Sequence, residues 1–105
     1  MSCTCSSDDF KASANPTGEN FLLSIEGSCE CPTDGFVLSL ERTTVGIAPD
    51  PDVVAFNLVE KDPGTAAKVI TTTRIEYFGD FDGKATRAVI RHAGTQFAVT
   101  IQYPG

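Results

Sequence analysis

The chain has 105 residues, 41% of them hydrophobic and 21% charged, with a formal net charge of -6. That length buries one core and not two, so residues 1–105 are expected to form a single domain. An acidic surface with scattered Lys and Arg argues against nucleic acid as a partner, and no apolar run approaches the roughly 20 residues of a membrane-crossing helix.

Met1-Ser2-Cys3-Thr4-Cys5 lacks the basic and apolar blocks of a secretion signal. The chain therefore reads as soluble: cytosolic, exported by another route, or already trimmed. Residues 1–14 are read as an N-terminal strand that carries the first Cys-x-Cys pair and alternates through Phe10, Ala12 and Ala14, before the loop signal Asn15-Pro16-Thr17-Gly18. From Phe21 the hydrophobic period is close to two, the mark of strands with one buried face. Phe21, Leu23 and Ile25 share a face, and the second pair, Cys29/Cys31, ends that segment. After a turn at Pro32-Thr33-Asp34-Gly35, Phe36, Leu38 and Leu40 alternate with Val37, Ser39 and Glu41, which predicts a hairpin with the preceding strand.

A loop over Gly46 to Asp52 leads to Val54, Phe56 and Leu58, and Lys61-Asp62-Pro63-Gly64 is the next turn, because Pro and Gly preset its dihedrals. Val69 to Phe78 reads as a long strand whose Thr71, Thr72 and Thr73 suit a pleat and disfavour a helix through their restricted χ1. Gly79 to Gly83 is expected to reverse the chain. Ala88, Ile90 and His92 then share one face, the tight Ala93-Gly94 turn follows, and Phe97, Val99, Ile101 and Tyr103 complete the pattern. About seven short strands predict an all-β fold: an antiparallel two-sheet sandwich, immunoglobulin-like, with a barrel as the alternative. The paired Cys and Trp markers of antibody domains are missing, since the chain has no Trp.

The four cysteines are the most informative feature. In an extended strand each Cys-x-Cys pair points both sulfurs to one side. If the first strand folds back on the second around Thr17, equal spacing sets Cys3 opposite Cys31 and Cys5 opposite Cys29. That strict register puts Phe10 and Ala12 on the opposite face from Phe21, Leu23 and Ile25, so a bulge near Gly27-Ser28 or Ser6-Ser7 is required to shift parity once. Converging thiols allow two chemistries. Cross-strand disulfides would staple the chain start, as in many small exported domains. Alternatively, the same four thiolates, Cys3, Cys5, Cys29 and Cys31, would hold Zn²⁺ or Cu(I). The Ser-Cys-Thr-Cys and Ser-Cys-Glu-Cys doublets are similar to those of metallothioneins, over eight residues of a chain with a large apolar core, and no family is assigned from them. No His or basic residue lies near either pair in sequence to activate a thiol.

His92 is the only histidine and is read as a half-buried residue with a backbone partner, not as a catalytic base. Asp80-Phe81-Asp82-Gly83 and Asp50-Pro51-Asp52 carry oxygen ligands, but Lys84-Ala85-Thr86 follows where a calcium loop needs another acid, so the turn reading is preferred. Glu26, Glu41, Glu60 and Glu76 are expected on exposed strand faces, with Arg42, Arg74, Arg87 and Arg91 as cross-strand partners. Without a phosphate loop or nucleophile elbow, the expectation is a non-enzymatic structural or interaction module with no cofactor. It would associate with a protein partner or with itself, as a subunit of an oligomer, a particle coat or a filament. Disulfides would suit an extracellular or particle-surface location and bound metal a cytoplasmic one. Ligand recognition by the loops Gly46 to Val53 and Gly79 to Lys84 is a third reading.

Overall fold

The computed structural model describes residues 3–43, 52–64 and 69–104. They form seven strands: β1 (Thr4–Thr17), β2 (Asn20–Cys31), β3 (Val37–Thr43), β4 (Val53–Lys61), β5 (Thr71–Phe81), β6 (Arg87–His92) and β7 (Thr95–Gln102). No helix occurs among the described residues. The strands make one mixed sheet in the order β3-β4-β6-β7-β1-β2-β5. Its two end strands, β3 and β5, come back into contact without pairing, so the sheet curls nearly into a barrel. The barrel alternative fits this arrangement.

Alternation selects the strands and the face each one buries. In β5, Ile75 is buried between exposed Arg74 and Glu76, and in β3, Leu38 and Leu40 are buried between exposed Val37, Ser39 and Glu41. Phe56, Leu23, Ile25, Ile75 and Ile90 are the largest fully buried apolar side chains, each contributing about 1.5–3 kcal/mol relative to exposure. Across the interior, the Phe56 ring of β4 meets Tyr77 of β5 at 4.8 Å between centroids. Along the open seam the Arg42 guanidinium of β3 donates to the Asp80 carbonyl of β5 at 3.2 Å.

Three expectations about connectivity are corrected. Pairing is not wholly antiparallel: β4 and β6 run parallel over Val53–Asn57 and Arg87–Arg91, and β1 and β7 run parallel at Ala12↔Ile101 and Ser13↔Gln102. The expected hairpin of β2 with β3 does not form, because β2 lies between β1 and β5 while β3 pairs with β4. Pro32 lacks the N–H needed to extend the ladder, and the buried Thr33 and Phe36 carry the chain across the core instead. The third correction concerns Gly79 to Gly83. Gly79, Asp80 and Phe81 still pair with Leu23, Leu22 and Phe21, so the chain reverses only from Asp82, whose Oδ1 accepts the Lys84 N–H at 3.0 Å. Of the loop expected over Gly46 to Asp52, residues 46–51 lie outside the described residues.

The β1–β2 hairpin turns through Gly18-Glu19 rather than around Thr17, with Thr17 opposite Asn20. Gly18 has φ +86°, a conformation open to glycine at little cost, which permits the two-residue loop. From this turn the ladder runs through Ala14↔Leu23, Ala12↔Ile25 and Phe10↔Gly27, and all the apolar members face inward. It then breaks: the next pairs are Cys5↔Cys29 and Thr4↔Glu30. Residues 6–9 of β1 thus stand opposite Ser28 alone. This bulge shifts parity, so the phenylalanine-alanine stretch and the cysteines share the inner face.

Candidate functional site: the sulfur-stapled end of the sheet

Beyond the bulge, β1 and β2 bring the four sulfurs together. Cys3 is bonded to Cys31 with Cα atoms 4.1 Å apart, and Cys5 to Cys29 at 4.5 Å. Cys3, Cys29 and Cys31 are buried, Cys5 is half-buried, and no free cysteine remains. The bonds fix a segment that has few other ties, because the bulge residues Ser6, Asp8 and Asp9 are exposed.

A polar node seals the same end. The Cys3 backbone N–H donates to Glu60 Oε1 at 2.7 Å, and the same oxygen lies 2.6 Å from His92 Nε2. The His92 side chain is 9% exposed and that of Glu60 14%. Two expectations change here. His92 is partnered by a carboxylate and not by backbone, and Glu60 is enclosed instead of solvated. The signal was available in strand parity: Glu60 follows Val54, Phe56 and Leu58 on the inner face of β4, as His92 follows Ala88 and Ile90 on β6. Because β4 and β6 run parallel, both polar residues emerge at one end of the sheet, where the chain start meets them. Glu26, Glu41 and Glu76 are exposed as expected. Arg74 reaches Glu76 on its own strand, at 3.5 Å, rather than a residue across the ladder.

No family model, curated protein or solved structure matches this chain.

Next to the node, Ala93 and Gly94 turn the chain from β6 into β7. Both have positive φ, 50° and 81°, the requirement of a type I′ turn. The Thr95 hydroxyl donates to the His92 carbonyl at 2.8 Å and steadies the turn. Beside it is an open cavity of about 490 Å³, lined by Asn57, Leu58, Arg91, His92, Thr95 and Gln96 among others.

The opposite end of the sheet is closed by aromatic packing. Tyr103 packs edge-on to Phe21 at 5.6 Å, and its hydroxyl donates to the carbonyls of Gly83, at 2.9 Å, and Ala85. Burial, with a smaller contribution from the nearby Asp82 charge, raises the Tyr103 pKa above its ordinary value of 10.0. Asp80 and Asp82, weighed as calcium ligands, are held in a strand and a turn, and no group of three or more metal-ligating side chains occurs among the described residues. Asp50 lies outside them. No helix among the described residues is long and apolar enough to cross a membrane.

Proposed function

We propose that this protein is a non-enzymatic structural and interaction module whose first strand is stapled by two disulfides, and that it assembles through the strands flanking its open seam. One observation carries the reading. Among the described residues, the exposed large hydrophobic side chains are Val37, Val59, Val69, Ile70 and Phe78, with Ile70 71% and Phe78 64% exposed. All lie on β3, on its neighbour β4, on β5, or in the two residues leading into β5. Since β3 and β5 each pair on one side only, the unpaired edges and the uncovered apolar groups coincide, a combination that favours strand-to-strand association. A second copy of the chain, in an oligomer, coat or filament, is the partner this reading names. The disulfides are compatible with an oxidising, extracellular or particle-surface setting.

Size-exclusion chromatography with light scattering tests the proposal. The expected result is a species larger than the monomer, which Phe78→Lys shifts toward monomer by placing a charge beside the edge. A chain that remains monomeric at every concentration overturns self-association. Native mass spectrometry addresses the sulfurs in the same sample. Two bonds correspond to the loss of four hydrogens. An added Zn²⁺ or Cu(I) mass removed by chelator would instead select thiolate coordination, which requires both bonds to be reduced.

A further inference from the structure

The two disulfides hold a stretch of strand that little else holds. From Phe10 to Thr17 every residue of β1 has a ladder partner in β2, whereas between Cys3 and Asp9 only Thr4 and Cys5 have one. Pairing of β1 with β7 begins at Ala12. Within residues 3–9 only Cys3 is buried, with Cys5 and Ser7 half-buried. Beyond the ladder, the tie from this segment to the rest of the described residues is the Cys3 N–H donated to Glu60 Oε1 at 2.7 Å; the Asp8 N–H turns back to Ser6 Oγ. Ordering each residue costs backbone entropy, and so short a ladder returns little against it. The decisive restraint is therefore covalent.

Access separates the two bonds. Cys3 is 4% exposed, Cys31 0% and Cys29 2%, whereas Cys5 is half-buried. Thiol–disulfide exchange requires a thiolate to reach a sulfur, so Cys5 is the point of entry. The same place on β1 has a built-in stop. Phe10↔Gly27 is the first ladder pair past the bulge, and the Phe10 ring is packed on Phe97 at 5.3 Å.

We propose that the staple is a redox latch, opened by a small thiol of the glutathione class, that releases residues 3–9 while the rest of the sheet stays closed. A thiolate attacks Cys5 Sγ and forms a mixed disulfide; the Cys5–Cys29 bond breaks, and Cys29 leaves as a thiolate that takes up a proton. A second external thiolate attacks the small-molecule sulfur of the mixed disulfide, giving the oxidised reductant and a Cys5 thiol. The Cys3–Cys31 bond, uncovered as the strand loosens, exchanges in the same way. Each bond thus consumes two external thiols and two electrons, and yields two cysteine thiols and one external disulfide.

Release withdraws the Cys3 N–H from Glu60 and uncovers β2 from Ser28 to Cys31, which remains paired on its other side with Arg74 to Thr71 of β5. A strand paired on one side and open on the other is a template for strand addition. The latch is closed in an oxidising setting and opens in a reducing one. It operates in the single chain and does not require self-association.

The full chain is incubated with increasing glutathione, its free thiols are trapped with N-ethylmaleimide and mapped by peptide mass spectrometry, and hydrogen–deuterium exchange is followed in parallel. Label should appear on Cys5 and Cys29 before Cys3 and Cys31. In the fully reduced chain, exchange should accelerate at least about tenfold in residues 3–9 and 28–31, with residues 10–27 and β4, β6 and β7 as protected as in the oxidised chain. Oxidised glutathione should restore the protection together with the Cys3–Cys31 and Cys5–Cys29 pairs. Protection lost throughout the chain overturns the latch and leaves a purely structural staple; protection unchanged after full reduction overturns it by showing that the segment holds without its bonds. Labelling in the reverse order overturns entry at Cys5, and reoxidation to other pairings overturns reclosure.

Discussion

Removing the two disulfides one at a time and then together should give strongly non-additive losses, because the bonds are nested. Cys3–Cys31 spans 28 residues and Cys5–Cys29 spans 24 inside it. In the loop-closure account, either bond alone restricts the unfolded chain by about 3.5 kcal/mol. With one bond in place, the second closes only a small ring made of residues 3–5 and 29–31, and adds about 2 kcal/mol by the same relation. The paired variant Cys5→Ala/Cys29→Ala should therefore lose about 2 kcal/mol, and Cys3→Ala/Cys31→Ala about the same plus the packing of two buried sulfurs. The fourfold variant should lose about 5–6 kcal/mol, more than the two pairs summed by over 1 kcal/mol. Urea denaturation followed by circular dichroism measures all three, and each pair alone should lower Tm by roughly 8–16 °C. Strictly additive losses, or a single pair costing as much as 3.5 kcal/mol, would refute the nested-loop reasoning.

Glu60→Gln retains an acceptor for the Cys3 N–H but loses the charge-assisted bond to His92, and should cost about 1–2 kcal/mol in the same urea assay; an unchanged midpoint would remove the node from the account. A Cβ at Gly27 would lie 2.5 Å from the Phe10 ring, which itself packs on Phe97 at 5.3 Å. Gly27→Ala should therefore destabilise by about 1–3 kcal/mol, and adding Phe10→Leu to it should cost less than Phe10→Leu costs in the parent. Ala93→Gly relieves a left-handed residue in the β6–β7 turn and should stabilise by about 1 kcal/mol; thermal melting that shows no gain argues against the turn geometry. Tyr103 has its pKa raised in the folded chain, so its contribution is fully present below pH 10 and declines as pH rises through the higher folded value. The alkaline fall in stability should be smaller in Tyr103→Phe, whose neutral-pH stability is reduced by loss of the bonds to the Gly83 and Ala85 carbonyls.

The sequence by itself determined the strands, the face each one buries and the meeting of the cysteines, because side-chain direction along an extended chain follows from spacing alone. Two doublets of equal spacing on antiparallel neighbours have a register in which all four sulfurs meet. The parity conflict between Phe10 and Cys5 also required a bulge, which the structure places at residues 6–9. The inward parity of Glu60 and His92 was equally legible, but that they meet each other was not.

Only the tertiary structure decided which strands are neighbours. Alternation fixes one face of a strand and says nothing about either of its edges, so a hairpin between β2 and β3 was as consistent with the pattern as the observed pairing of β2 with β5. The parallel pairings of β4 with β6 and β1 with β7 depend on long crossings around the core. Those crossings bring Glu60, His92 and the Cys3 N–H, from three separate segments, to a single oxygen.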